Sequence, residues 1–211
     1  LFRSKLWISS GERQQFDPAQ DMKSNVGKII RLNDDGSIPA DNPFMNQGKI
    51  AQQVWSLGHR NPLGMAFDPQ GQLWVIEMGP KGGDELNKII KAKNYGYPLV
   101  SNGDHYNGKP IPDHSTRPEF EAPVLDWTPV ISPSDLNFYT GKMFPQWQNK
   151  AIATGLSSKA IIIIDTMQQP AKEVQRLDMK ARIRGAVQAQ DGGIWVIEDG
   201  PQARLLKLTA L

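Results

Sequence analysis

The sequence contains no cysteine, which excludes disulfides, thiol catalysis and thiolate metal sites. No run of Lys and Arg is present and the formal net charge is only +2, so a nucleic-acid partner is disfavoured. No segment approaches the roughly 18 apolar residues of a membrane span. Long helical patterns are also missing, because 19 glycines and 16 prolines interrupt the chain, and this favours short strands joined by turns.

Three segments of similar sequence recur along the chain, and each is a short apolar run that ends in an acidic or glycine turn. They are residues 5–12 (KLWISSGE), 72–79 (QLWVIEMG) and 193–200 (GIWVIEDG), with a weaker copy at 150–155. Each copy is followed by a second strand candidate, at 27–32, 86–90, 160–165 and 205–208. Four-stranded repeats of this kind predict an all-β fold of the β-propeller type, of which 211 residues hold three to four blades.

The segment at 58–98 carries the clearest functional pattern. Arg60 and Asn61 stand just before one predicted strand, and a glycine-rich turn with Asp84 and Glu85 follows the next. A guanidinium fork beside an amide suits carboxylate and carbonyl oxygens. Main-chain carbonyls and carboxylates are the ligands that calcium takes. We therefore hypothesise an anionic cofactor held between an arginine and a calcium ion.

Five motifs in this order resemble a known family: SNVGKIIRLNDDGSIPADNPF, GHRNPLGMAFDP, EMGPKGGDELN, KNYGYP and ARIRGAVQAQDGGIWVIEDG. Together they are similar to the soluble, pyrroloquinoline quinone (PQQ)-dependent aldose sugar dehydrogenases of the glucose/sorbosone dehydrogenase family. The resemblance covers essentially all 211 residues. It implies a six-bladed propeller of about twice this length, of which residues 1–211 form a partial C-terminal domain whose N-terminal blades are missing.

The resemblance also implies a function. Such enzymes oxidise an aldose at the C1 hydroxyl to the lactone, with a calcium-polarised quinone as hydride acceptor, so the implied cofactors are PQQ and calcium. The family's base histidine lies upstream of residue 1, so no catalytic residue is assigned here, and we expect this fragment alone not to turn over sugar. The implied location is periplasmic or secreted. The implied partners are a small sugar and an external electron acceptor, and a homodimer is allowed.

The resemblance assigns binding roles residue by residue. It implies that Arg60, Asn61, Arg182 and Arg184 bind the cofactor. The carbonyls of Gly79 and Pro80 match the positions that hold the cofactor calcium. Glu85 and Tyr95 match a second, structural calcium site, with Asp84 as a neighbour. On a strand, the two arginines of Arg-Ile-Arg would point to the same side.

Several positions depart from the family pattern. Ser157 stands where a cofactor-binding lysine is expected, with Lys159 two residues on and predicted to share its face. Val130, Met78 and Leu63 replace polar residues of the family pattern. These departures keep an alternative open, a non-catalytic propeller scaffold that has lost the quinone site.

Two other readings are weaker. A calcium-dependent propeller hydrolase needs a ring of Asn, Asp and Glu side chains around a central metal, and no such ring is evident in the sequence. The histidines do not suggest a base either. His59 is predicted to be structural, while His105 and His114 are predicted to be exposed in the long polar loop at 101–123.

Overall fold

Residues 5–210, the part of the chain that this computed structural model describes, form fourteen strands and four short 3-10 helices. The strands are β1 (Lys5–Ser10), β2 (Lys28–Asn33), β3 (Val54–Leu57), β4 (Pro62–Phe67), β5 (Leu73–Glu77), β6 (Asp84–Lys88), β7 (Leu125–Trp127), β8 (Pro133–Phe138), β9 (Ala151–Gly155), β10 (Ala160–Asp165), β11 (Lys172–Asp178), β12 (Ile183–Gln188), β13 (Ile194–Glu198) and β14 (Leu205–Leu208). The 3-10 helices are Asp17–Ala19, Ala51–Gln53, His114–Thr116 and Pro145–Trp147. None of these helices has the length or apolar content of a membrane span.

The strands form four small sheets in which each strand pairs with its neighbour along the chain. The orders are β1-β2-β3, β4-β5-β6-β7, β8-β9-β10-β11 and β12-β13-β14. Every pairing whose register is defined is antiparallel. The all-β prediction is therefore confirmed, and every predicted repeat coincides with a strand to within a few residues.

The chain separates into two compact units by its internal contacts. The first contains the residues up to Pro62, with Gly79–Gly83 and Ile89–Pro123, and includes the sheet β1-β2-β3. The second contains Leu63–Met78, Asp84–Lys88 and the residues from Val124 onward, and includes the other three sheets. The single-domain boundaries expected from the sequence stay a prediction.

The core of the second unit explains why β10 is a continuous apolar run. Its four isoleucines, Ile161 to Ile164, are completely buried. Because successive side chains of a strand point to opposite faces, Ile162 and Ile164 join one core cluster while Ile161 and Ile163 join another. The sheet β8-β11 is thus covered on both faces, and each buried isoleucine contributes on the order of 2 kcal/mol of apolar burial.

The sheet of the first unit is stabilised by an arginine between two indoles. The Arg31 guanidinium carbon lies 5.7 Å from the ring centroid of Trp7 and 4.9 Å from that of Trp55. The two indoles meet edge to face, and Arg31 also forms a 2.9 Å ion pair with Asp41. Cation–π contacts with partly buried rings stabilise by about 1 kcal/mol each, so this cluster ties β1, β2 and β3 together.

Candidate functional site

Arg60 and Asn61 lie in the short connection between β3 and β4, as the sequence predicts. Arg60 is only 8% exposed, and its main-chain carbonyl accepts a 2.8 Å hydrogen bond from the N–H of Glu12. Its guanidinium donates to the hydroxyl of Tyr106 at 3.2 Å and lies 5.6 Å from the centre of that ring. The main chain around Arg60 is thereby tied to the loop that follows β1.

That loop is strained in its main chain. Arg13, Gln14 and Phe16 have φ angles of 59°, 59° and 63°, a region that residues other than glycine rarely adopt. Glu12, which is 2% exposed, accepts a 2.8 Å hydrogen bond from the N–H of Phe16 and so closes the loop on itself. Residues held in such conformations cluster at ligand-binding sites, which makes this loop a candidate part of the site.

Two adjoining cavities surround Arg60. One, of about 210 Å³, is lined by Glu12, Arg13, Gln14, Arg60 and Asn61. The other, of about 220 Å³, is lined by Gln14, Phe16, Arg60, Pro80, Tyr97, His105, Tyr106 and Asn107. Arg60 and Gln14 line both. The structure therefore places the predicted arginine and the predicted Gly-Pro turn at one concave region that also contains a carboxylate, amides and aromatic rings.

Gly79, beside Pro80, permits a close approach of main-chain oxygens. A Cβ at this position would clash with the carbonyl oxygens of Gly82 and Gly83, so only glycine fits. The turn is fixed to the long loop by a pair of hydrogen bonds between the main chains of Lys81 and Asp104, at 2.8 and 3.1 Å. Carbonyl oxygens crowded in this way are suited to a hard cation.

Tyr95 is buried at 2% exposure, and its hydroxyl accepts the N–H of Ile90 at 3.0 Å. Its ring stacks on His59 with centroids 4.6 Å apart, and the Nε2 of His59 lies 2.8 Å from the hydroxyl of Ser56. His59 is fully buried, in agreement with its predicted structural role. The side chain of Tyr95 thus holds the loop that contains Ile90.

Tyr97 lines the second cavity, and its hydroxyl is affected by charged groups that line the first. Its side chain is almost completely buried and packs near Phe16, with ring centroids 6.4 Å apart. Burial raises the pKa of the Tyr97 hydroxyl, the Glu12 carboxylate raises it further, and Arg60 opposes both. The phenol of Tyr97 therefore lies within electrostatic range of the Glu12 carboxylate and the Arg60 guanidinium.

Asp84, in the second unit, is completely buried at the start of β6. Its Oδ2 accepts the N–H groups of Ile131 and Ser132 at 2.8 and 2.7 Å. Two short bonds to a carboxylate fix the connection between β7 and β8. One oxygen of this predicted metal neighbour is therefore engaged by the main chain.

Glu85 is brought beside a second carboxylate by the sheet register. Glu85 on β6 is paired with Glu77 on β5, and the Nδ2 of Asn87 donates to both, at 3.2 and 3.0 Å respectively. Glu77 and Asn87 are buried. Neither Glu77 nor Asn87 was assigned a role from the sequence, although Glu77 lies near the end of one of the recurring segments.

Arg182 and Arg184, also in the second unit, share one partner. The Nε of Arg182 and the Nη2 of Arg184 donate to the two oxygens of Asp199, at 2.7 and 3.0 Å. The two arginines were predicted to share one side of a strand; in the structure Arg182 precedes β12 and Arg184 lies at a bulge, and both reach the same carboxylate. Asp199 was missed, and its signal was the acidic turn that ends the last recurring segment.

The departures from the family pattern lie in the second unit. The hydroxyl of Ser157 donates to the main-chain carbonyl of Val130 at 3.1 Å. Ser157 and Lys159 belong to a turn at 156–159, and Lys159 has a φ of 51°. Because the alternation of a strand does not apply within a turn, the expectation that these two side chains share a face was based on the wrong local structure.

The long loop at 101–123 contains one helical turn in the structure, and one histidine prediction there is wrong. His114, expected to be exposed, is 6% exposed in the 3-10 helix of that loop. His105 is half-buried, with its ring 5.5 Å from that of Phe16. Polar loop composition predicts exposure only on average, and here the loop folds back over its own side chains. Within residues 5–210 no three His, Asp or Glu side chains gather as a metal-binding group.

Comparison with known proteins identifies the relatives of this chain. The family model described as glucose/sorbosone dehydrogenase matches residues 2–207. The aldose sugar dehydrogenase YliI of Escherichia coli is 39% identical over 209 residues, which cover 97% of this chain and 56% of that protein. The crystal structure of the Escherichia coli soluble aldose sugar dehydrogenase in its apo form superposes with a TM-score of 0.88 at 38% identity, over 97% of this chain and 60% of that one.

A further solved relative carries a cofactor. The PQQ-bound aldose sugar dehydrogenase of Streptomyces coelicolor is 28% identical with a TM-score of 0.75, over 97% of this chain and 58% of that one. The chain thus spans about half the length of the curated relatives it matches. Together with the four antiparallel sheets, these likenesses identify an all-β chain that covers part of a β-propeller.

Proposed function

Because the chain belongs to the glucose/sorbosone dehydrogenase family, we propose that the natural protein oxidises an aldose at its C1 hydroxyl to the lactone, with PQQ and calcium as cofactors. The PQQ-bound relative from Streptomyces coelicolor supports the choice of cofactor. By the same resemblance we place the protein in the periplasm or outside the cell, with an external electron acceptor and a homodimer as accompanying proposals.

The observation that carries this proposal is the shared cavity of Arg60 and Pro80. A quinone with several carboxylates needs a cationic fork for its acidic and carbonyl oxygens, and Arg60 is a nearly buried guanidinium that lines this cavity. Pro80, whose carbonyl we propose as a calcium ligand together with that of Gly79, lines the same cavity. A single concave region with both chemistries fits an anionic cofactor that shares a calcium ion with the protein.

The carboxylates of the second unit fit a further cation. Glu77 and Glu85 are held side by side by one amide, that of Asn87, whose Oδ1 is buried without a hydrogen-bond partner. Carboxylate and amide oxygens are the ligands that calcium takes. We propose that Glu85 contributes a carboxylate to a structural calcium site.

In the reaction, bound PQQ would supply the hydride acceptor and calcium would polarise its carbonyl. The residues of this chain would bind and orient. Arg60 and Asn61 would fix the cofactor edge, and Arg182 and Arg184 would bind its carboxylates. Glu12, buried beside Arg60, would hold the strained loop in place and exclude water from that side.

The test is reconstitution of the natural protein with calcium and PQQ, followed by titration of the cofactor and an assay of dye reduction with a panel of aldoses. We expect a tight complex and reduction of the dye by at least one aldose. Arg60→Ala should weaken cofactor binding, while the conservative change Arg60→Lys should weaken it less. Absence of both the complex and the dye reduction would overturn the proposal.

A second candidate is the non-catalytic scaffold, and one observation favours it. Ser157, at the expected lysine position, uses its hydroxyl to bond the carbonyl of Val130, so these two positions offer no cation to a ligand. Under this alternative the reconstituted protein does not bind PQQ and does not oxidise sugar, yet it keeps its fold. The same titration separates the two candidates.

A further inference from the structure

Arg182, just before β12, and Arg184, within it, are held by one network of hydrogen bonds. Asp199 receives Arg182 on one oxygen and Arg184 on the other. The main-chain N–H of Asp199 also donates to the carbonyl of Arg182 at 2.8 Å. The carboxylate is therefore fixed relative to the strand that carries both guanidinium groups.

A bulge in the strand directs the second arginine. In the register of β12 with β13, Ile183 pairs with Glu198 and Gly185 pairs with Ile197, so Arg184 is the extra residue. Bulges bend a strand and re-aim the side chain of the inserted residue. Ile183 remains completely buried, while Arg184 turns to the solvent beside Arg182.

The turn that carries Asp199 is closed from its other end. Glu198, only 6% exposed, accepts the main-chain N–H of Arg204 at 3.0 Å and forms a bidentate pair with its guanidinium. This pair closes the turn at 199–203 at its base. Asp199 thus stands on a preorganised turn, and the two arginines adopt their positions against it.

Resting on the proposed function, we propose that Asp199 is a positioning residue that orders Arg182 and Arg184 into a preformed receptor for the carboxylates of the anionic cofactor. Among residues 5–210, Asp199 is the side-chain partner of both guanidinium groups and engages one nitrogen of each. The remaining N–H groups of both arginines stay available. Each arginine is about half exposed, so a ligand can reach them.

A positioning role and a simple charge effect predict opposite signs. Removing the Asp199 carboxylate makes the local charge more positive by one, which by charge alone would strengthen the binding of an anion. If Asp199 acts by ordering the arginines, its loss releases two flexible side chains that must be fixed again on binding, and this lowers the affinity. The loss of ordering then weakens binding despite the gain in positive charge.

The experiment is titration of PQQ, with calcium present, into the natural protein and its variants, followed by the absorbance change of the quinone. Asp199→Asn is the test. Asp191→Asn is the matched control, because Asp191 lies at the opposite end of β13 and is paired with Lys207. We expect Asp199→Asn to weaken binding about tenfold, Asp199→Glu to restore part of the loss, and Asp191→Asn to leave the affinity unchanged.

The outcomes separate this inference from the function on which it rests. If Arg182→Ala and Arg184→Ala weaken binding while Asp199→Asn leaves it equal or stronger, the positioning role is refuted and the proposed function survives. If neither arginine variant changes the affinity, the arginine receptor itself is refuted. Thermal unfolding of each variant verifies the fold, since exposed ion pairs contribute little to stability.

Discussion

Lys28 offers the sharpest test of how the site loop is held. Its side chain is completely buried on β2, and its Nζ donates to the carbonyl oxygens of Pro18, Ala19 and Val26 at 2.7, 2.9 and 3.1 Å. The carbonyl of Ala19 also accepts the N–H of Gly58 at 3.1 Å, just before the Arg-Asn pair. One ammonium group therefore ties the segment before β2 to the base of the candidate site.

The perturbation is Lys28→Met, which keeps the length of the side chain and removes its three donors. The carbonyls of Pro18 and Val26 then lose this buried partner, and an unsatisfied buried polar group costs about 1–3 kcal/mol. The methionine recovers part of this by apolar burial and by removing a buried charge. We expect the free energy of unfolding at pH 7 to fall by about 2–4 kcal/mol.

The pH dependence of stability gives an independent signature. Burial lowers the pKa of Lys28 from 10.5 to about 8, with Asp21 opposing the shift. Between these values the folded protein binds fewer protons than the unfolded chain, so the lysine contributes stability that rises with pH. Solvent screening and the carbonyl acceptors reduce this gain to on the order of 1–2 kcal/mol.

The assay is urea unfolding followed by tryptophan fluorescence at pH 7 and pH 9.5. Lys23→Met is the matched control, since Lys23 is exposed in the same segment. The stability difference between the wild type and Lys28→Met should be larger at pH 9.5 than at pH 7. Equal stability of the two proteins at pH 7, or a stability difference that is the same at pH 7 and pH 9.5, would contradict the proposed role of Lys28.

Three further predictions concern the candidate site. Asp84→Asn should lower the free energy of unfolding by about 2 kcal/mol, measured in urea, because two main-chain N–H groups that bond the same oxygen lose a charged acceptor; a loss seen only with calcium present would assign Asp84 to the metal. Gly79→Ala should weaken calcium binding, measured by calorimetry, because its Cβ meets two carbonyl oxygens, whereas Gly185→Ala has room and should not. Ser157→Lys should strengthen PQQ binding about tenfold by adding a cation at an exposed position, and an unchanged affinity would show that this turn does not face the cofactor.

The sequence predicted the fold because its repeats carry strand signals that tertiary contacts do not override. β10 and β14 have the predicted bounds, and β5 and β13 differ from the prediction only at their ends. The strands it did not identify include β8, which begins with a proline, and β11, which is largely polar, so the apolar pattern of both is weak. Those strands form because their neighbours in the sheet provide the pairing and the burial.

The candidate site was only partly predictable for a related reason. Motif residues such as Arg60 and Pro80 were identified, and the structure places both at one cavity. Glu12 and Asp199 were missed because their roles depend on contacts with residues distant in the sequence. The shared acidic ends of the recurring segments were the available signal, since Glu12, Glu77 and Glu198 are all buried and hydrogen-bonded.

The most direct test of the proposed function is the affinity of the natural protein for PQQ in the presence of calcium, compared with that of Arg60→Ala. We expect saturable binding at one site per chain. The affinity should fall at least about tenfold in the variant, since a charged hydrogen bond from a nearly buried guanidinium contributes about 1.5–3 kcal/mol. Binding that is absent in the wild type, or equal in the two proteins, would contradict the proposed function.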